Sequence, residues 1–187
     1  LKQRLSDNGS RTWEIKYGKI DNSWDTSIIL NDLAISKGNF MFFDFINHKE
    51  IKREPETKNW DIVFTRYTTF TQGLHYTVTG LLNNYNVECS KIMKPIANVV
   101  TSDLVGLNWN SKINAIGYDW KYFNRMTSKY ELEVNTTRII KIPGSMPNIY
   151  DVYAIQFVAF EGRSTGKIVF DYKSYLDSGD TSILPKM

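Results

Sequence analysis

The chain has 187 residues, of which 42% are hydrophobic and 23% are charged, and this balance is typical of a globular protein with a substantial core. The net charge of +3 comes from lysines and arginines spread along the chain, which argues against a nucleic-acid-binding surface. A single cysteine, Cys89, excludes a disulfide within the chain, and no apolar run approaches the roughly 18 to 20 residues of a membrane span. Aromatic residues make up 14%, and this share favours strands.

The N-terminal third predicts strands after a polar start. Residues 1–12 predict a flexible N-terminal stub, and residues 13–187 are predicted to form a single domain. Apolar and polar residues alternate from Trp13 to Tyr17, and the segment Ser27–Ala34 is also typical of a strand. The nearly continuous apolar segment Asn39–Ile46 predicts a strand that is buried on both faces.

The middle of the chain contains the segment that we expect at the centre of the core. This segment is Asn59–Tyr67, with the sequence NWDIVFTRY, and Tyr76–Leu82 predicts a further strand. A short helix is predicted within Ser90–Val100, limited by Pro95 because proline interrupts helical hydrogen bonding. Tyr130–Ile142 predicts one long strand.

Two C-terminal strands are predicted at Tyr150–Phe160 and Lys167–Tyr172, joined by a turn at Gly162–Gly166. Strands at this spacing predict an all-β fold of mostly antiparallel sheets, sandwich-like, with one or two short helices. The turn also matches the G-x-S-x-G motif of hydrolases. That motif requires a helix after the serine, whereas a strand pattern follows here, so a hairpin turn is the favoured interpretation.

The polar residues give no enzyme signature. His48 and His75 lie too far apart for a metal-ligand motif and are expected on the surface or in packing contacts. Asp61 and Asp171 lie within apolar strand patterns, and Cys89 is expected to be a small buried residue. Carboxylates of a hydrolase meet only in space, so a carboxylate hydrolase stays an alternative to the non-enzymatic function that we expect.

The segment Asn59–Tyr67 resembles a signature of the HmuY-like family of haem-binding proteins, in which a Trp-Asp pair opens a core strand that ends on Arg-Tyr. Further pieces agree with that family in order and spacing. They are Trp120–Phe123 followed by Tyr130–Leu132, and the C-terminal segments Val152–Phe157 and Gly166–Tyr172.

The resemblance implies an all-β fold and a protein that is exported, either as a lipoprotein anchored to the outer membrane of a Gram-negative anaerobe or in secreted form at the cell surface. It implies capture of haem for nutrient uptake and delivery to a TonB-dependent outer-membrane receptor. Membrane contact would then arise only through an N-terminal lipid anchor outside this chain. The implied partners are haem or another small nutrient and the receptor, with no nucleic acid.

The residues that would bind haem depart from the family pattern. The best-known axial ligands of the family are histidines on loops around the strand that matches Trp120, whereas this chain has no histidine beyond His75. Met126 follows that strand, and a methionine sulfur can ligate haem iron. His75 and Met146 are the candidates for a second ligand. The alternative is a binding module of the same fold without haem ligation, which would bind a glycan or another nutrient through exposed aromatic residues such as Trp109 and Trp120.

Overall fold

The computed structural model describes residues 2–5, 10–21, 23, 25–34, 42–71, 73–144, 146, 149–162 and 164–175. The described structure is mostly antiparallel β-sheet, and its helical residues form only short 3-10 turns, so the prediction of an all-β fold is confirmed. The chain forms two compact units, which divide between Trp60 and Asp61. This division does not coincide with the predicted boundary between a stub over residues 1–12 and a domain over residues 13–187.

The first unit is built from local antiparallel pairs. Its strands are β1 (Lys2–Leu5), β2 (Ser10–Gly18), β3 (Asp25–Ala34), β4 (Phe42–Asp44) and β5 (Lys49–Ile51). The first three form one sheet in chain order, and β4 and β5 form a separate hairpin. Part of the predicted stub therefore forms a strand, because β1 pairs along its whole length with β2.

The prediction of a strand buried on both faces over Asn39–Ile46 is wrong in extent and burial. Residues 39–41 lie outside the described residues, β4 is only three residues long, and Phe45 and Ile46 are exposed in the turn that follows. The cause is local, since the Asp44 carboxylate accepts hydrogen bonds from the backbone N–H groups of Ile46 at 2.8 Å and Asn47 at 3.1 Å. Such bonds stabilise a turn at the expense of an extended strand.

The second unit combines two hairpins with a larger sheet. Its strands are β6 (Ile62–Thr71), β7 (Leu74–Asn83), β8 (Glu88–Ile92), β9 (Lys121–Asn124), β10 (Lys129–Leu132), β11 (Thr137–Pro143), β12 (Tyr150–Phe160) and β13 (Ile168–Ser174). The hairpins are β6–β7 and β9–β10, and the four-stranded sheet has the order β13-β12-β11-β8. The predicted strands around Tyr76–Leu82, Tyr150–Phe160 and Lys167–Tyr172 are confirmed to within two residues at each end.

Two predicted elements of this unit differ in extent from the structure. The short helix expected within Ser90–Val100 is limited to a 3-10 turn at Ile96–Asn98 directly after Pro95, because Ser90 pairs with Ile139 inside the sheet. The expected long strand over Tyr130–Ile142 is divided into β10 and β11. Asn135 adopts a φ of 54° between them, a left-handed conformation that ends a strand and that asparagine tolerates better than most residues.

The core of the second unit lies on both faces of the four-stranded sheet. On one face Trp120, only 2% exposed, stacks on Phe157 with ring centroids 4.0 Å apart and an interplanar angle of 16°. The opposite face packs Ile139, Val152 and neighbouring apolar residues. The prediction that the core centres on Asn59–Tyr67 is therefore wrong. No residue of that segment is fully buried, because β6 has only one face against the core.

A close backbone approach joins β7 to the segment before β9. The Leu81 N–H donates to the Gly117 carbonyl at 2.9 Å, and the Gly117 N–H donates to the Leu81 carbonyl at 3.2 Å. A Cβ atom on Gly80 would lie 2.5 Å from the Gly117 carbonyl oxygen, and Gly117 itself has a φ of +70°. Gly80 is favoured because a larger residue would collide with the Gly117 backbone, and Gly117 is favoured because its φ is positive.

We expect Gly80→Ala to lower the free energy of unfolding by about 1 to 3 kcal/mol, because the added methyl group collides with backbone that cannot move as freely as a side chain. Urea unfolding followed by tryptophan fluorescence measures the change. Leu74→Ala, on the exposed end of the same strand, is the control and should change stability by about 0.5 kcal/mol or less. Equal stability of Gly80→Ala and the wild type would contradict the close approach.

Candidate functional site

The three predicted haem ligands lie on three different hairpins. Met126 is 96% exposed in the turn between β9 and β10, where its backbone N–H donates to the Asn124 side-chain oxygen at 2.9 Å. His75 lies on the exposed end of β7 and packs against Phe70, with ring centroids 4.9 Å apart. Met146 is 58% exposed in the connection between β11 and β12. None of these three side chains belongs to the lining of the hollow beside the β9–β10 hairpin or of the hollow over the four-stranded sheet.

An aromatic hollow of about 270 Å³ lies between β7 and the β9–β10 hairpin. Its lining residues, which define the aromatic hollow, are Val78, Thr79, Tyr118, Lys121, Tyr122, Phe123 and Tyr130. Four of these residues are aromatic, and Tyr122 and Phe123 are half exposed. Exposed aromatic rings beside a concave surface can stack on a flat ligand.

One face of the β9–β10 hairpin carries the rings that connect the hollow to the core. Phe123 and Tyr130 are paired across the two strands and meet edge to face at 5.3 Å. Tyr130 also meets Phe160 at 5.0 Å, and Phe160 meets the buried ring of Trp120 at 5.7 Å. The aromatic wall of the hollow is therefore supported by the core, which limits the motion of Tyr130.

The other face of the same hairpin is held by hydrogen bonds. The Glu131 carboxylate accepts bonds from the Tyr122 hydroxyl at 2.7 Å and from the Asn124 side-chain amide at 2.6 Å. The bond from Tyr122, and then that from Asn124, lower the pKa of Glu131, while the bond to Glu131 raises the pKa of Tyr122. These contacts fix the strand register that brings Phe123 and Tyr130 together.

Lys121 contributes a cation to the lining of the aromatic hollow. Its side chain is largely buried, its Nζ lies 4.0 Å from the ring centroid of Trp120, and the Nζ donates a hydrogen bond to the Thr79 carbonyl. A cation held over an aromatic face is stabilised by the negative potential of the ring. Such a group can also meet an anionic substituent of a ligand in the hollow.

A second hollow, of about 200 Å³, lies over one face of the four-stranded sheet. The residues that define this sheet-face hollow are Asp61, Ile62, Ile140, Ile142, Tyr153, Ile155, Phe170 and Tyr172. Partial burial, and after it the nearby Asp151 carboxylate, raise the pKa of Asp61. Asp61 and Asp151 are two neighbouring acids, as a carboxylate hydrolase requires, but the other seven lining residues are isoleucine, tyrosine or phenylalanine and offer a polar substrate few hydrogen-bond partners.

The remaining sequence candidates have structural roles. The Gly162–Gly166 segment is a hairpin turn between β12 and β13, closed by a bond from the Gly166 N–H to the Gly162 carbonyl at 3.1 Å. His48 is exposed on the surface, where its ring stacks on Tyr17 at 5.7 Å and shares a hydrogen bond with the Tyr17 hydroxyl. Trp120 is buried, so the prediction of an exposed ring there is wrong. Trp109 is partly buried, and Lys141 lies over its ring at 4.6 Å.

Sequence reasoning missed the grouping that forms the aromatic hollow. Lys121 and Phe123 are marked in the sequence only through the resemblance of Trp120–Phe123 to the HmuY-like family, and Val78 and Thr79 come from a distant hairpin. A usable signal existed within β9 and β10, where aromatic residues on both arms of a short hairpin predict cross-strand ring pairs. No comparable signal links this hairpin to β7.

Within the described ranges, no group of three or more histidine, cysteine, aspartate or glutamate side chains is arranged to hold a metal ion. The helices in this part of the chain are all too short to cross a membrane. Comparison of the chain with protein-family models, with curated proteins and with solved structures finds no significant match. The resemblance to the HmuY-like family therefore stays a prediction.

We expect Cys89 to be unreactive towards a thiol reagent near neutral pH while the protein is folded. The residue is only 2% exposed, and burial raises the pKa of its thiol to about 12, so the nucleophilic thiolate is scarce. A colorimetric thiol assay with and without denaturant measures this, with Cys89→Ser as the blank. Rapid labelling of the folded protein would contradict the buried position.

Proposed function

We propose that the chain is a non-enzymatic ligand-binding domain that captures haem or a related porphyrin for nutrient uptake. The observation that carries the proposal is the aromatic hollow, in which aromatic rings and the Lys121 cation line one concave surface. A porphyrin is a flat apolar ring with two carboxylate substituents. Phe123 and Tyr130 would contact the ring, and Lys121 would attract a carboxylate.

The size of the hollow determines how such a ligand would be held. Pockets that enclose a small molecule usually measure about 300 to 1,000 Å³, and this hollow measures about 270 Å³. It would therefore take one edge or face of the porphyrin and leave the rest exposed. Partial exposure suits a capture protein that transfers its ligand to another protein.

Met126 is the proposed axial ligand because it lies at the tip of the hairpin that lines the aromatic hollow. Its side chain is exposed, so its sulfur is accessible to the iron of a ligand bound beside β9 and β10. His75 and Met146 are the other candidates, and each lies on a different hairpin. Export as an outer-membrane lipoprotein or secreted surface protein, and transfer to a TonB-dependent receptor, belong to the same proposal and rest on the sequence resemblance.

The second candidate function is binding of a glycan or another nutrient in the same hollow without iron ligation. The half-exposed ring of Phe123 favours it, because sugars stack on accessible aromatic faces. The buried Trp120 does not contribute to this function. Glycan-array binding together with no binding of hemin would select this candidate over haem capture.

We expect hemin to bind the wild-type protein with a shifted Soret band and Phe123→Ala to weaken that binding about tenfold, since loss of one stacking ring costs about 1 to 3 kcal/mol. Met126→Ala should change the Soret position by removing one iron ligand. Absorbance titration measures both effects.

Two controls accompany this titration. Tyr85→Ala removes an exposed ring in the turn between β7 and β8 and should bind hemin like the wild type. Metal-free protoporphyrin should bind the Met126→Ala and wild-type proteins equally, because it has no iron to ligate. A hemin spectrum that stays identical to that of free hemin would refute haem capture.

A further inference from the structure

The sheet-face hollow combines an apolar surface with acidic groups. Ile140 and Ile142 project from β11, and Tyr153 and Ile155 project from the neighbouring β12. Alternate residues of a strand share one face, so Asp151 projects from β12 on the same side as Tyr153. It pairs across the ladder with Ile142.

Asp61 in the lining of the hollow and the nearby Asp151 disfavour each other's ionised form. Partial burial, and after it the Asp151 charge, raise the pKa of Asp61, and a positive charge close to Asp61 would offset both effects. Aromatic rings line the same hollow, among them Tyr153 and Tyr172, and the faces of such rings attract cations. The negative charges and the aromatic rings therefore both favour a cationic ligand.

We propose that the sheet-face hollow binds a small organic ammonium ion. Its hydrocarbon body would lie against Ile140, Ile142 and Ile155, and its charged nitrogen would be directed towards Asp61 and Asp151. The volume of about 200 Å³ suits a short alkyl or aryl amine rather than a porphyrin. This site shares no lining residue with the aromatic hollow, so the proposal is independent of haem capture.

The test is a titration of the full chain with hexylammonium chloride, followed by the backbone amide NMR signals of Ile142, Tyr153 and Tyr172. Hexanol has a similar hydrocarbon body without the charge. We expect hexylammonium to bind about two- to fivefold more tightly than hexanol, since an ion pair with an exposed carboxylate contributes about 0.5 to 1 kcal/mol to the binding free energy.

Two variants distinguish the effect of the Asp61 charge on binding from an effect on folding. Asp61→Asn keeps the shape of the side chain and should weaken hexylammonium binding about two- to fivefold while leaving hexanol binding unchanged. Asp171→Asn removes the same charge from the opposite face of β13 and should bind hexylammonium like the wild type. Near-identical amide spectra of the free proteins verify that each variant is folded.

Three results would overturn the proposal. They are equal affinities for hexylammonium and hexanol, equal losses of affinity in the Asp61→Asn and Asp171→Asn proteins, and signal changes that avoid the three reporter residues.

Discussion

The arrangement of the second unit depends on the backbone contact between Leu81 and Gly117, two residues that are far apart in sequence. The contact fixes the segment before β9 against β7, and it places Trp120 so that its indole N–H donates to the Gly117 carbonyl at 3.2 Å. The Trp120 ring then stacks on Phe157 in the core. Because Lys121 follows directly, the β9–β10 hairpin begins beside β7, and the aromatic hollow forms between the two.

A buried arginine holds the base of the same hairpin. Arg138 on β11 is 5% exposed and donates to Asp119, just before β9, at 2.8 Å and to Glu133, just after β10, at 3.3 Å. The Glu133 N–H also donates to the Trp120 carbonyl at 2.9 Å. Removing both acids would leave the buried Arg138 charge without these partners, so the two ion pairs help to specify the position of the hairpin.

The sequence predicted the elements whose signals are local. The mostly aromatic and apolar segment Tyr150–Phe160 and the glycines at Gly162 and Gly166 predicted a hairpin that the structure confirms. The sequence-based predictions are wrong where a partner that is distant in the chain determines the secondary structure or burial of a segment. Ser90 belongs to a strand because β11 pairs with it, and the segment Asn59–Tyr67 borders the core because only one face of β6 is covered.

The candidate sites could not be predicted from the sequence, because they too depend on residues that are distant in the chain. Met126 and His75 were found because methionine and histidine are recognisable as iron ligands wherever they occur. The aromatic hollow requires Thr79 and Phe123 to meet, and the sheet-face hollow requires Asp61 and Asp151 to meet. No periodicity or spacing rule connects either pair, since each pair is brought together by sheet packing.

The central claim is that the aromatic hollow is the ligand-binding surface. It is tested most directly by mapping the amide NMR signals of the protein as zinc protoporphyrin, a diamagnetic porphyrin, is added. The account predicts that the largest changes occur at Thr79, Lys121, Phe123 and Tyr130, with little change at Tyr153 and Tyr172. Changes confined to residues outside the aromatic hollow, or no saturable change at all, would contradict it.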